Sequence, residues 1–267
     1  MTTVTSLPRT DRTETLGAAP AREFVALFGL DLDYPTDGTP VPLMGHWMYF
    51  HEHPSPSQLD AAGLPTQSDV LPRPEQGTRR LLGGGSIEFH RDLLLGAPAV
   101  RTSQVTGTKR VRGRSGTFTI TTLEHLISQK GRVCLRERQD VIDHYGPRTA
   151  ATPQPAAPAV PGVTLPIDAT TLFRFSALMR ASHRIHWDEN YARTVEGYSG
   201  LVVPGPFQLI AATHRIRTLR PKPVRHVSFR YTSPLTLDQG MVLSCTDRTA
   251  LVTDSTDRVT SRIEILD

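Results

Sequence analysis

The side chains best suited to chemistry cluster in residues 173–208, FRFSALMRASHRIHWDENYARTVEGYSGLVVPGPFQ. His183 and His186 lie three positions apart, beside Asp188 and Glu189. Metal ligation would call for a third ligand and, on a helix, for histidines spaced by four, so this pattern argues against it. Imidazole titrates near neutral pH, and a neighbouring carboxylate can fix its tautomer, which suits general acid–base work. The plainer alternative is that both rings are hydrogen-bonded members of a structured loop. Further along, Gly205 stands in Val202-Val203-Pro204-Gly205-Pro206. A glycine amide at a helix N-terminus can approach a ligand closely and sits at the positive end of the helix dipole. Such a donor fits a carbonyl oxygen that gains negative charge in a transition state. A simple helix-starting turn accounts for the same residues.

These residues must be held by elements that are legible on both sides. A helix is expected over 207–219, opened by the prolines around Gly205, with Phe207, Ile210, Ala211, His214 and Ile216 forming a stripe. A strand–turn–strand pattern follows at Val227-Ser228-Phe229, Leu235, Leu237, Gly240 and 242–245, then strands at 249–253 and 259–266. The same order occurs earlier: Ile87-Glu88-Phe89, Leu93, Leu95, Gly96, a run from Val100, then 117–128 and 133–145. Helical candidates ahead of that first meander are 22–30 and 43–52. Helix plus curved antiparallel sheet, repeated, is an α+β architecture of pseudo-symmetric halves. Between the halves, residues 147–162 contain five prolines and five alanines and read as a linker. The expected organisation is a loose tail at 1–20, a first half at 21–146, the linker at 147–162 and a second half at 163–267.

Composition narrows the possibilities. The 267 residues are 38% hydrophobic and 21% charged, a globular balance, and no apolar run approaches the roughly 20 residues of a membrane span. The N-terminus lacks the apolar block of a secretory signal, so a cytoplasmic location is expected. The two cysteines, Cys134 and Cys245, read as free thiols in strands. The net charge of +4 suits an anionic partner. Lys109, Arg110, Arg112 and Arg114 form the densest basic cluster, but it sits in a hairpin without interleaved aromatics and does not indicate nucleic-acid binding.

At Phe173-Arg174-Phe175-Ser176-Ala177-Leu178, His183-Arg184-Ile185-His186, Asp188, Glu196-Gly197-Tyr198 and Gly200-Leu201-Val202-Val203, the chain resembles the mesaconyl-CoA hydratase group of MaoC-like hydratases and dehydratases. His46-Trp47-Met48-Tyr49-Phe50, Gly83-Gly84-Gly85 and Ile87-Glu88-Phe89-His90 extend the resemblance to the first half. It implies a double hotdog fold: the second half carries the catalytic segment and the first shapes the acyl pocket. It also implies a hydro-lyase acting at the α,β-position of an acyl thioester of coenzyme A or a carrier protein. No metal or redox cofactor is needed, since coenzyme A or phosphopantetheine arrives as part of the substrate. The implied catalytic residues are His186, His183, Asp188 and Gly205. Tyr198, Val203, Pro204 and Ala181 line the substrate.

Two departures from the family pattern stand out. Related (R)-specific enoyl-CoA hydratases carry an aspartate five residues before the histidine matching His186, and mesaconyl-CoA hydratases an asparagine; here it is Ala181. Pro204 replaces the histidine that usually precedes the Gly-Pro. Either another residue supplies the second polar group, with His183, Asp188 and Glu189 nearest in sequence, or the reaction differs from hydration. The rival readings are a hotdog isomerase, cyclase or thioesterase, and a non-catalytic acyl-binding protein. A double hotdog already mimics a dimer, so either a monomer or a homodimer is compatible.

Overall fold

The computed structural model describes residues 8–74, 78–113, 116–145 and 160–267. Ten strands form one antiparallel sheet. The first five are β1 (Arg9–Thr15), β2 (Thr78–Phe89), β3 (Pro98–Gly113), β4 (Gly116–Gln129) and β5 (Arg132–Tyr145). The second five are β6 (Val163–Leu165), β7 (His226–Tyr231), β8 (Met241–Cys245), β9 (Thr249–Thr253) and β10 (Val259–Ile265). Their spatial order is β1-β3-β4-β5-β2-β7-β10-β9-β8-β6. Counted outward from the centre, each half runs second strand, fifth, fourth, third, first. The repeat read from the sequence is therefore the repeat of the sheet, and the fold is a double hotdog.

The halves join where β2 pairs with β7, from Gly84 opposite Arg230 to Glu88 opposite His226. Close approach here requires glycine. A Cβ at Gly85 would stand 2.0 Å from the Arg138 carbonyl oxygen and 3.0 Å from the Phe229 ring. Ile87, Val227, Phe229, Ile263 and Ile265 alternate along the strands toward the buried face. Each is worth roughly 1.5–3 kcal/mol of burial.

In the second half, α4 (Gly205–Leu219) lies across β7–β10. Phe207, Leu209, Ile210, Ala212 and Ile216 are buried, as are Gln208, Thr213 and His214. The first half has no such helix. The segment 43–52, expected to be helical, makes only a short 3-10 turn at Gly45–Met48. Pro40 and Pro42 precede it, and Met44 (φ 68°) and Phe50 (φ 62°) adopt left-handed backbone on either side, which ends any α-helical hydrogen-bond ladder. The first-half sheet is thus covered by a turn and a loop. The other helix of this half, α1 (Ala18–Phe28), packs on α2 (Ala169–Leu178), and Phe28 stacks 5.1 Å from Phe207.

The expected tail at 1–20 is corrected by β1, which pairs with β3 from Arg9 opposite Gln104 to Thr15 opposite Pro98. Its polar residues alternate exposed and half-buried on an edge strand, and the backbone groups of β3 supply the partners that composition could not reveal. Residues 1–7 and 146–159, the latter covering most of the expected linker, lie outside the described residues, as does Arg114. Lys109, Arg110 and Arg112 sit at the far end of β3 in the β3–β4 hairpin, with Arg110 over the Tyr145 ring. Cys134 and Cys245 are free. Among the described residues no helix is long and apolar enough to cross a membrane.

Several histidines are held neutral inside this fold. Burial lowers His51, His125 and His214 to about 4 from an ordinary 6.5. The unfolded chain therefore takes up protons below pH 6.5 that the folded chain refuses until about pH 4. Their contribution to stability is complete above pH 6.5 and is lost as pH falls toward 4. Thermal unfolding followed by circular dichroism is expected to give a lower Tm at each step of that descent and a flat Tm between pH 7 and 8.

Candidate active site

α2 ends where Arg180 turns into left-handed backbone (φ 49°) and the Ala181 amide donates to the Ser176 carbonyl at 2.8 Å. The segment that follows is clamped by the first half. Ser182 Oγ donates to the Gly63 carbonyl at 2.6 Å, and the Arg184 amide to the Ala62 carbonyl at 2.8 Å. Gly63 has φ 82°, and a Cβ there would stand 2.2 Å from the Ser182 carbonyl oxygen, so the contact depends on glycine.

A single 3-10 turn, Arg184–His186, presents the second histidine. His186 Nδ1 donates to the Val202 carbonyl at 2.8 Å, while the Val202 amide donates to the Ile185 carbonyl at 2.9 Å. Because a carbonyl can only accept, Nδ1 carries the proton and Nε2 keeps its lone pair. Burial lowers the His186 pKa to about 4, so the ring is a neutral base at physiological pH. His183 stands 5.6 Å away, nearly perpendicular, with its own pKa lowered by burial.

The carboxylates expected to assist are occupied elsewhere. Asp188 Oδ1 accepts the Tyr191 amide as the cap of α3 (Glu189–Thr194), and Oδ2 is gripped by Arg184 at 2.7 Å. Glu189 pairs with Arg193 on the same helix. Their two-to-three-residue distance from His186 in sequence reflects capping of the next helix. Tyr198 packs with Ile185, Tyr191, Ala192 and Val202 beside the histidine turn. Val203 and Pro204 are buried at the entrance to α4, and the Val203 amide donates to the Leu235 carbonyl.

Gly205 is the first residue of α4, Pro204 its N-cap, and no side chain caps the helix. One aromatic ring stands over it. A Cβ at Gly205 would meet Cε1 and Cζ of Tyr231 at 2.9 Å and Cε2 at 3.0 Å. Nothing in the sequence marked Tyr231 except its inward register with Val227 and Phe229 on β7.

Sequence reasoning also missed a buried polar cluster beneath the first-half turn. Glu137 accepts His46 Nε2 at 3.2 Å, Trp47 Nε1 at 2.7 Å and Gln139 Nε2 at 2.7 Å. Burial opposes its charge, but the His46 hydrogen bond and charge hold its pKa down to about 2. Arg101 lies over the Phe50 ring, its Nε buried with no hydrogen-bond partner among the described residues. On the seam, a cleft of about 490 Å³ is lined by Gly84, Ser86, Arg138, Asp140, Arg230 and Tyr231, but by neither His183 nor His186.

The family model of hydroxyacyl-thioester dehydratase type 2 matches residues 44–237. The chain belongs to that family. It is a thioester hydratase/dehydratase, a hydro-lyase by class. A relative, the mesaconyl-C(4)-CoA hydratase of Chloroflexus aurantiacus, is 36% identical over 205 residues, 75% of this chain and 73% of that protein. Solved structures with the same fold include a MaoC-like dehydratase from Phytophthora capsici, with TM-score 0.69, 13% identity and coverage of 98% and 96%. HtdX of Mycobacterium tuberculosis has TM-score 0.67, 18% identity and coverage of 96% and 98%.

Two substitutions separate scaffold from chemistry. Asp188→Ala is expected to lower Tm through loss of the α3 cap while leaving kcat near wild type; a collapse of kcat in a well-folded variant would restore Asp188 to the catalytic set. Glu137→Ala strands the buried His46 donor and the half-buried donors of Trp47 and Gln139, and is expected to cost roughly 3–5 kcal/mol in urea unfolding, with Glu137→Gln milder.

Proposed function

We propose that this enzyme adds water across, or removes it from, the α,β-bond of a short acyl-CoA thioester, with His186 and Gly205 as its working parts. The observation that carries this is the strap between His186 Nδ1 and the Val202 carbonyl. It ties the His186 ring to Val202, only three residues ahead of the uncapped α4 N-terminus, and leaves Nε2 free of that bond. In hydration, Nε2 takes a proton from water as the oxygen bonds the β-carbon. The α,β electron pair moves toward the thioester oxygen, which the Gly205 amide holds, and the proton is returned at the α-carbon. Dehydration is the same path reversed. His183 is the remaining nearby imidazole for orienting water, and Ala181, Tyr198, Val203 and Pro204 border the reacting acyl group.

The first half would house the rest of the acyl chain, since a turn and loop cover its sheet where the second half has a helix. That interior is polar, with Arg101, His125 and the Glu137 cluster, which supports an acyl group ending in a carboxylate, such as the mesaconyl group of the relative's name. Coenzyme A or a carrier arm is then the only organic cofactor chemistry required, and it enters with the substrate. A cytoplasmic monomer or homodimer suits this role.

Mass spectrometry of a thioester panel tests the reading, with carboxylate-bearing and plain enoyl groups on both coenzyme A and carrier protein. An 18-dalton change, largest for the carboxylate-bearing CoA thioester, is expected. Release of free thiol together with the free acid, with no water added across the double bond, would make the protein a thioesterase instead. His186→Ala is expected to lower kcat roughly 100-fold in a folded protein. From the His186 pKa, wild-type hydration should stay level from pH 8 to 6 and fall only as pH approaches 4, where Nε2 becomes protonated.

A further inference from the structure

Ala181 removes the polar side chain that relatives carry near the histidine, and Asp188 and Glu189 are committed to arginines. A second polar group at the reacting atoms must come from elsewhere in the fold. β7 supplies one. Its inward residues Val227, Phe229 and Tyr231 end at the mouth of α4, and the Tyr231 hydroxyl is buried without a hydrogen-bond partner among the described residues. A buried hydroxyl left unpaired costs roughly 1–3 kcal/mol, which folding would not retain without another use.

The position of that hydroxyl is specific. In a helix each Cα–Cβ bond leans toward the N-terminus, so the space beyond a Cβ at Gly205 is the space that the first amides address. Tyr231 fills it with the hydroxyl-bearing end of its ring, Cζ and both Cε atoms lying 2.9–3.0 Å from that point. Pro206 has no N–H, so the Gly205 amide has no neighbouring donor at the next position.

We propose that the Tyr231 hydroxyl is a catalytic hydrogen-bond donor that, with the Gly205 amide, holds the thioester oxygen as it gains charge. The proposal rests on the hydratase/dehydratase reading of the same site and assigns it a second oxyanion donor, from strand β7. Burial, reinforced by the Glu137 charge, raises the phenol's pKa well above its ordinary range, so it is a donor at neutral pH. The same contact explains why position 205 must be glycine: any Cβ would displace the ring.

Tyr231→Phe tests this. The variant keeps the ring and loses only the hydroxyl, so Tm is expected to stay level or rise, while kcat falls about 100-fold with KM changed little. A second readout needs no turnover. A saturated acyl-CoA labelled at the thioester carbonyl should show its infrared C=O stretch at lower frequency when bound to wild type than when bound to Tyr231→Phe. Wild-type kcat in Tyr231→Phe, or identical carbonyl stretches, would overturn the proposal while leaving the hydratase reading intact. A wild-type enzyme inert toward every thioester of the panel would overturn that reading and this proposal with it.

Discussion

Everything in this molecule hangs on the pairing of β2 with β7. Two half-sheets of the same strand order meet along one short antiparallel ladder, and glycine at position 85 lets the backbones and the Phe229 ring close together. The ladder gives the sheet continuity, and it also sets the two halves edge to edge at a fixed register. A slip of one residue would turn Phe229 and Tyr231 away from the interior and remove the ring from over Gly205. The seam is therefore as much a positional constraint on the site as a source of stability.

From that constraint the asymmetry of the halves acquires meaning. The second half covers its sheet with α4, whose buried residues are mostly apolar and whose N-terminus has no side-chain cap. The first half covers the matching surface with a 3-10 turn and a loop, so its interior holds histidines, an arginine and a buried glutamate. Part of this polarity is satisfied internally: Glu137 takes donors from His46, Trp47 and Gln139, and His125 bonds Ser103. One half contributes the α4 N-terminus and the His186 turn, and the other a polar interior.

The site itself is held from both sides. The first-half turn around Gly63 grips Ser182 and Arg184, and the Val202 strand bridge grips His186. The histidine is thereby fixed in one tautomer by a backbone carbonyl, and Asp188 caps α3. Replacement of relatives' polar residues at 181 and 204 then fits a pocket in which Tyr231 stands close to the reacting atoms.

What the sequence determined by itself was local. The alternation in 117–128, 133–145 and 259–266 specified strands, because side chains on a pleat alternate faces. Prolines around Gly205 announced a helix start, and the histidines of 183–186 singled out a candidate segment for chemistry. Polar alternation in β1 was too weakly apolar to read, and the prolines and left-handed residues around 43–52 outweighed its apolar pattern. Only the tertiary structure decided which groups meet: His46 with Glu137, 91 residues apart, Ser182 with Gly63, and Tyr231 with Gly205. The physical reason is that a side chain's partners across a sheet seam depend on register and burial, neither of which leaves a spacing along the chain.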